Sequence, residues 1–254
     1  MANRKPCIAG NWKMYKTNEE ALALIDALKG LVTGVDDVDI LVAPPFTALT
    51  VIADQIRGSN IQLAAQNLHW EPEGAYTGEI SAGMLLSAGC THVIIGHSER
   101  RQYFGETNAT VNRKIKAALP HGLTPIFCIG ESLEEREAEK TFSILDKQLS
   151  EGLEGIAADD IEKIIIAYEP VWAIGTGKTA SDQQAQEVHH FIRNYVSDLY
   201  GKDIANVVRI LYGGSVKPNN IAGLMAQPDV DGALVGGASL TAPSFAGIVK
   251  FKIS

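Results

Sequence analysis

The chain has 254 residues, 22 of them basic and 30 acidic, which gives a formal net charge of −8. An acidic sum argues against a nucleic-acid binder, which carries a basic face, yet one lysine and a few backbone amides can still hold a phosphate. Hydrophobic residues at 46% and charged residues at 20% exclude a disordered chain and describe an ordinary globular one.

Short apolar runs alternate with amphipathic stretches. The runs begin near Cys7, Asp39, Ile61, Thr91, Thr124, Lys163, Val208 and Gly232, eight in all. Most lack polar alternation, as in Ile40-Leu41-Val42, Val93-Ile94-Ile95 and Ile164-Ile165-Ile166-Ala167. A strand that is apolar on both faces is buried on both faces, the condition of a parallel sheet covered by helices.

Three capping boxes mark helix starts, at Thr17 with Glu20, Ser132 with Glu135, and Ser181 with Gln184. In each, the hydroxyl accepts from a free amide of the first turn and the acid or amide three residues on caps in return. Ala21, Leu24, Ile25, Leu28 and Leu31 keep helical spacing after the first box. Phe142, Leu145 and Leu149 share one side after the second, which predicts a helix running through from Ser132. Val188, Phe191, Ile192, Tyr195 and Leu199 form the stripe after the third. Weaker helices fit residues 47–57, 81–88, 107–119, 218–225 and 243–250, and no linker or low-complexity segment divides the chain. Eight strand–helix units over residues 1–254 predict one α/β domain, a (β/α)8 barrel. A doubly wound open sheet is the alternative, and the count of eight favours the barrel.

In such a barrel the loops after the strands build one functional face. Asn11 and Lys13 follow the first run, Gly96-His97-Ser98-Glu99-Arg100 the fourth, Glu169-Pro170-Val171-Trp172 the sixth, Gly213-Gly214-Ser215 the seventh and Gly236-Gly237 the eighth. Alone, Lys13 reads as a solvated lysine and His97 as a hydrogen-bonded structural histidine. On one rim beside two glycine-rich turns they read as a site. Glu169 closes an apolar run, where a carboxylate is costly unless paired or used. The paired glycines could be plain turns, but ahead of helix starts they offer amides to an anion. Glu131, Glu134, Glu135, Glu137 and Glu139 read as a solvated helix face.

Two nearby motifs are decoys. Gly177-Lys178-Thr179 ends like a phosphate-binding loop, but Trp172 stands where that motif needs its leading glycine. Gly175-Thr176-Gly177 with Ala180 mimics a dinucleotide fingerprint, but lies too far beyond the strand end. The segment reads instead as a hinged lid. Cys7, Cys90 and Cys128 are too sparse for a disulfide framework or a metal site, which points to a reducing compartment. With no visible leader and no apolar run of membrane-spanning length, a cytoplasmic location is expected.

Gly10-Asn11-Trp12-Lys13, Gly96-His97-Ser98-Glu99-Arg100-Arg101, Tyr168-Glu169-Pro170-Val171-Trp172-Ala173-Ile174-Gly175-Thr176-Gly177, Tyr212-Gly213-Gly214-Ser215-Val216 and Gly236-Gly237 together resemble the triosephosphate isomerase family from end to end. The resemblance implies interconversion of dihydroxyacetone phosphate and glyceraldehyde 3-phosphate through an enediolate, in glycolysis and gluconeogenesis. It implies Glu169 as the base, His97 as a neutral electrophile and Lys13 as the cation for phosphate and transition state. It assigns Asn11 to substrate polarisation and Gly175, Ser215, Gly236 and Gly237 to phosphate binding, with Glu99 supporting Lys13 and His97. No metal and no cofactor is implied. A homodimer is, through the loop at 67–80 with its Gly74-Ala75-Tyr76-Thr77-Gly78 tip. Two rival readings are a Schiff-base aldolase on the same fold with Lys13 as nucleophile, and a non-catalytic sugar-phosphate binding module.

Overall fold

The computed structural model describes residues 4–173 and 179–252. Eight parallel strands close into a barrel in sequence order. They are β1 (Cys7–Asn11), β2 (Asp39–Ala43), β3 (Ile61–Ala65), β4 (His92–Ile95), β5 (Thr124–Ile129), β6 (Ile165–Tyr168), β7 (Arg209–Tyr212) and β8 (Gly232–Val235), each starting within two residues of an apolar run. Cys7 pairs with Asp39 on one side and with Gly232 on the other, which closes the ring.

The helices are α1 (Asn18–Val32), α2 (Leu49–Ile56), α3 (Ala82–Ser87), α4 (Ser98–Tyr103), α5 (Asn108–Ala118), α6 (Leu133–Glu137), α7 (Thr141–Gly152), α8 (Ala158–Ile161), α9 (Asp182–Tyr200), α10 (Lys202–Ala205), α11 (Ile221–Met225) and α12 (Ala242–Val249). All three predicted capping boxes are formed, at Thr17, Ser132 and Ser181.

The unbroken apolar runs are explained by two cores. Cys7, Ala9, Leu41, Ile94, Ile126, Cys128, Ile165, Ala167, Leu211 and Leu234 are among the residues that pack with one another in one cluster. Their chain neighbours Ile8, Ile40, Val42, Val93, Ile95, Phe127, Ile129 and Ile166 belong to a second cluster, shared with the helices. Alternate residues point to opposite faces of a strand, so the first cluster fills the barrel and the second joins it to the helix ring. Each fully buried side chain of this size contributes about 1.5–3 kcal/mol. Arg193 on α9 ties the seam before β8, donating to Asp229 Oδ1 and Asp231 Oδ2 at 2.6 Å each.

Three sequence expectations need correction. The helix opened at Ser132 does not run through to Leu149. It stops after Glu137, passes through Glu139 in a left-handed conformation (φ 57°), and restarts at Thr141. Leu145 and Leu149 are buried in the core, whereas Phe142 stays 39% exposed beside Phe191, their ring centroids 4.9 Å apart. Leu199, at the end of the α9 stripe, is 55% exposed, and the buried face of the helix runs through Val188, Ile192 and Val196 instead. Glu131 is not solvated. It is fully buried, and its Oε1 accepts from Tyr168 Oη (3.1 Å), Trp172 Nε1 (2.9 Å) and Arg136 (3.0 Å).

Candidate active site

The C-terminal ends of the strands surround a cavity of about 350 Å³ lined by Asn11, Lys13, His97, Glu169, Ser215, Gly236 and Gly237, with Tyr15, Gly213, Lys217 and Leu234 among its other walls. Seven of the nine residues to which the resemblance assigns roles therefore share one cavity. Glu99 stands behind them and bonds to Lys13. Gly175 lies outside the described residues.

Lys13 sits just past the end of β1 with φ of 53°, an uncommon backbone conformation for a side-chain-bearing residue. Both of its backbone polar groups are held. Its amide donates to Asn11 Oδ1 (3.0 Å), and its carbonyl accepts from Gln66 Nε2 (2.8 Å), which also donates to Ala43 O (2.8 Å). Lys13 Nζ meets Glu99 Oε1 at 2.6 Å.

His97 follows β4 and caps α4. Its Nδ1 accepts from the Glu99 amide at 3.2 Å, so Nε2 carries the ring proton. That proton faces Glu169 Oε1 at 3.0 Å. Glu169 follows β6 and is 2% exposed. Its Oε2 accepts from the Ser98 amide (3.0 Å) and its Oε1 from Ser98 Oγ (3.2 Å).

The electrostatics of the pair follow from this packing. Burial works to raise the Glu169 pKa, but the charge and hydrogen bond of His97, the Ser98 amide and Lys13 hold it below the ordinary carboxylate value. Burial works to lower the His97 pKa, but Glu169 and Glu99 raise it against Lys13. Removing the carboxylate from Nε2 would remove the two largest raising influences. Burial, Lys13 and the Glu99 amide on Nδ1 would then all favour the neutral ring.

The glycine turns play different parts. Gly213 uses its amide on Tyr168 O (2.6 Å), and an added Cβ would stand 2.9 Å from Glu169 Cγ. It is therefore glycine for close approach to Glu169, not for its amide. Gly236 precedes the short 3-10 turn Gly237–Leu240 and lies beside the Lys13 stem. The first amides of a helical turn are free of internal partners and suit an anion.

Gln66 and Ser98, which hold Lys13 and Glu169, were not assigned roles from sequence. Both stand just past a strand end, and Ser98 also lies within the Gly96–Arg101 motif, but neither position told which group it would hold. Lys217 adds a second cation to the cavity wall.

A closed (β/α)8 barrel that gathers a carboxylate, an imidazole and an ammonium on one rim is a barrel enzyme equipped for acid–base chemistry. The family model described as Triosephosphate isomerase matches residues 6–252. Curated relatives of that name include one from Citrifermentans bemidjiense, 63% identical over 249 residues (98% of this chain, 99% of the relative). Another, from Caldanaerobacter subterraneus, is 57% identical over 248 residues (98% and 100%). The crystal structure of triosephosphate isomerase from Bartonella henselae superposes with a TM-score of 0.89 at 42% identity, covering 98% of this chain and all of that one. The chain belongs to the triosephosphate isomerase family and is an isomerase.

Proposed function

We propose that the rim cavity interconverts dihydroxyacetone phosphate and glyceraldehyde 3-phosphate by moving one proton between adjacent carbons. Glu169 takes the proton from the carbon next to the carbonyl. His97 gives its Nε2 proton to the carbonyl oxygen as negative charge develops there and takes up the proton of the neighbouring hydroxyl, while Glu169 returns its proton to the former carbonyl carbon, so the enediolate collapses to the other isomer. Glu169 and His97 end as they began, so the step balances without oxidant or reductant. Lys13 offsets the substrate and transition-state charge, Asn11 polarises the substrate, and Ser215, Gly236 and Gly237 hold the phosphate. Glu99 orients Lys13.

The observation that carries this reading is the shared cavity of Lys13, His97 and Glu169, with the Glu169 carboxylate buried and 3.0 Å from Nε2. The aldolase alternative is disfavoured by the 2.6 Å contact of Lys13 Nζ with Glu99, since a Schiff base needs a free amine. An isomerase assay coupled to a dehydrogenase tests the reading. Absence of turnover by pure protein would leave a binding module, and a borohydride-trapped adduct on Lys13 would favour the aldolase.

We also propose a homodimer docked through residues 67–80. Exposed apolar side chains support it: Met14 is 93% exposed, and Tyr76, Met84, Tyr103 and Phe104 are also open. Cytoplasmic work fits three buried, free cysteines. Among the described residues no helix is long and apolar enough to cross a membrane.

A further inference from the structure

We propose that Gln148, on α7 outside the cavity, is a positioning residue for Glu169, acting through a two-point clamp on the backbone of Gly130. The inference rests on the reading of Glu169 as the base.

Gln148 spends its whole side-chain amide on one residue. The Gly130 amide donates to Gln148 Oε1 at 2.7 Å, and Gln148 Nε2 donates to Gly130 O at 3.0 Å. A paired arrangement grips the two peptide units that flank the Gly130 Cα and so fixes both the place and the orientation of the residue, which one hydrogen bond does not.

Gly130 in turn is the bearing surface for the base. A Cβ on Gly130 would fall 1.7 Å from Glu169 O, so the two backbones touch with no room for a side chain. The residues on either side of Gly130 extend the contact. Glu169 N donates to Ile129 O at 2.7 Å, and Val171 N donates to Glu131 O at 3.1 Å. The segment that carries the base is therefore hung on residues 129–131, and Gln148 fixes the middle one.

Packing does not make this clamp redundant. A cavity of about 390 Å³ lies at the clamp, with Gly130, Gln148, Ser98, Glu169 and Val171 in its wall. The pocket leaves the clamp unpacked on one side, so there the hydrogen bonds of Gln148 set the position that the Glu169 contact sets on the other. A displacement of about 1 Å at a catalytic group costs up to a hundredfold in rate.

The test uses two near-isosteric variants of the full chain. Gln148→Met removes both hydrogen bonds. It is expected to lower kcat by about ten- to a hundredfold, with KM and the inhibition constant of inorganic phosphate within about twofold of wild type. Gln148→Glu carries its own rescue. As a neutral acid it donates to Gly130 O and accepts from Gly130 N, whereas the carboxylate faces the carbonyl oxygen with no proton. Burial and that carbonyl favour the neutral form. The kcat deficit of Gln148→Glu relative to wild type is therefore expected to be smaller near about pH 5 than near about pH 8. Arg101 and Glu135 line the same cavity and act on the introduced acid in opposite senses, Arg101 favouring its carboxylate and Glu135 its neutral form.

Wild-type kcat in either variant at about pH 8 would overturn the proposal. So would a rise in KM and in the phosphate constant with kcat intact. If Gln148→Met fails to fold, the Gln148→Glu ratio decides alone, and a ratio that is flat across pH overturns the clamp. Glu169→Gln is measured alongside. An active Glu169→Gln would remove the base reading itself. An inactive one beside fully active Gln148 variants would remove only the clamp.

Discussion

Glu169 Oε1 lies 3.0 Å from Nε2 of His97, so the proposed base and the proposed electrophile satisfy one another in the free enzyme. Substrate must separate them. The carboxylate has to leave Nε2 to reach a carbon-bound proton, and its departure frees the Nε2 proton for the carbonyl oxygen. One movement thus prepares both groups and returns His97 toward the neutral form that donates to an oxyanion.

Glu169→Gln keeps the volume and the Ser98 contact but cannot accept a proton from carbon. Turnover in the coupled assay is expected to fall by about a thousandfold or more. Inhibition by inorganic phosphate should stay near wild type, because the phosphate end of the cavity is untouched. A matching loss of phosphate binding would make Glu169 a structural residue.

The same pair gives stability a pH window. Glu169 is held below its ordinary 4.5, so its contribution is present above pH 4.5 and is lost as the pH falls through its lower folded value. His97 is held above its ordinary 6.5, so its contribution is complete below pH 6.5 and is lost as the pH rises through its higher folded value. The wild-type advantage over a Glu169→Gln/His97→Gln double variant is expected to be largest between those two values and to shrink on both sides. Urea unfolding of both proteins across the acid and neutral range measures it. An advantage that kept growing toward alkaline pH would mean that His97 is not paired as described.

Glu99 separates a stability effect from a functional one. Its ion pair with Lys13 is partly open to solvent, with side-chain exposures of 22% for Lys13 and 38% for Glu99. Such pairs contribute at most about 1 kcal/mol. Glu99→Gln should therefore leave thermal unfolding nearly unchanged. Activity should fall further, by about tenfold in kcat/KM, because Lys13 loses the 2.6 Å contact that aims it. Equal and large losses in both measurements would instead make Glu99 part of the folding core.

The barrel was legible because eight runs apolar on both faces have few other homes than a parallel sheet, and because Thr17, Ser132 and Ser181 announce helix starts in a local pattern. The rim was legible because polar residues such as Asn11, His97 and Glu169 interrupt apolar runs at their ends. What could not be read depends on distant partners. The break after Glu137 uses no glycine or proline. Glu131 is buried by Trp172, Tyr168 and Arg136, which no spacing rule connects to it. Gln66 and Gln148 are neutral amides whose meaning lies in the carbonyl of Lys13 and the peptide of Gly130.

Gly213→Ala probes how closely the seventh strand's turn backs the base. The added methyl would meet Glu169 Cγ at 2.9 Å and Tyr168 O at 3.0 Å. Since Tyr168 is buried backbone, the Glu169 side chain has to give way. The overpacking is expected to destabilise by about 1–3 kcal/mol. It should lower kcat more than it raises KM, because the displaced group acts in the chemical step. An unchanged kcat would show that Glu169 keeps its working position while its neighbour moves.

Tyr76 tests the proposed dimer at the exposed tip of the loop. Its ring stacks 4.5 Å from His69, and His69 N donates to Ile80 O at 2.8 Å, so the tip is held by its own base before any partner arrives. The ring is nonetheless 44% exposed. Tyr76→Asp places a charge where the second copy is proposed to sit. Losing an aromatic anchor at an interface costs about 2 kcal/mol or more, which raises Kd by roughly thirtyfold. Sedimentation at micromolar protein should show wild type as a dimer and the variant shifted toward monomer, with its circular dichroism retained. A variant that sediments as wild type would move the interface away from residues 67–80. A wild-type protein that sediments as a monomer would remove the dimer altogether.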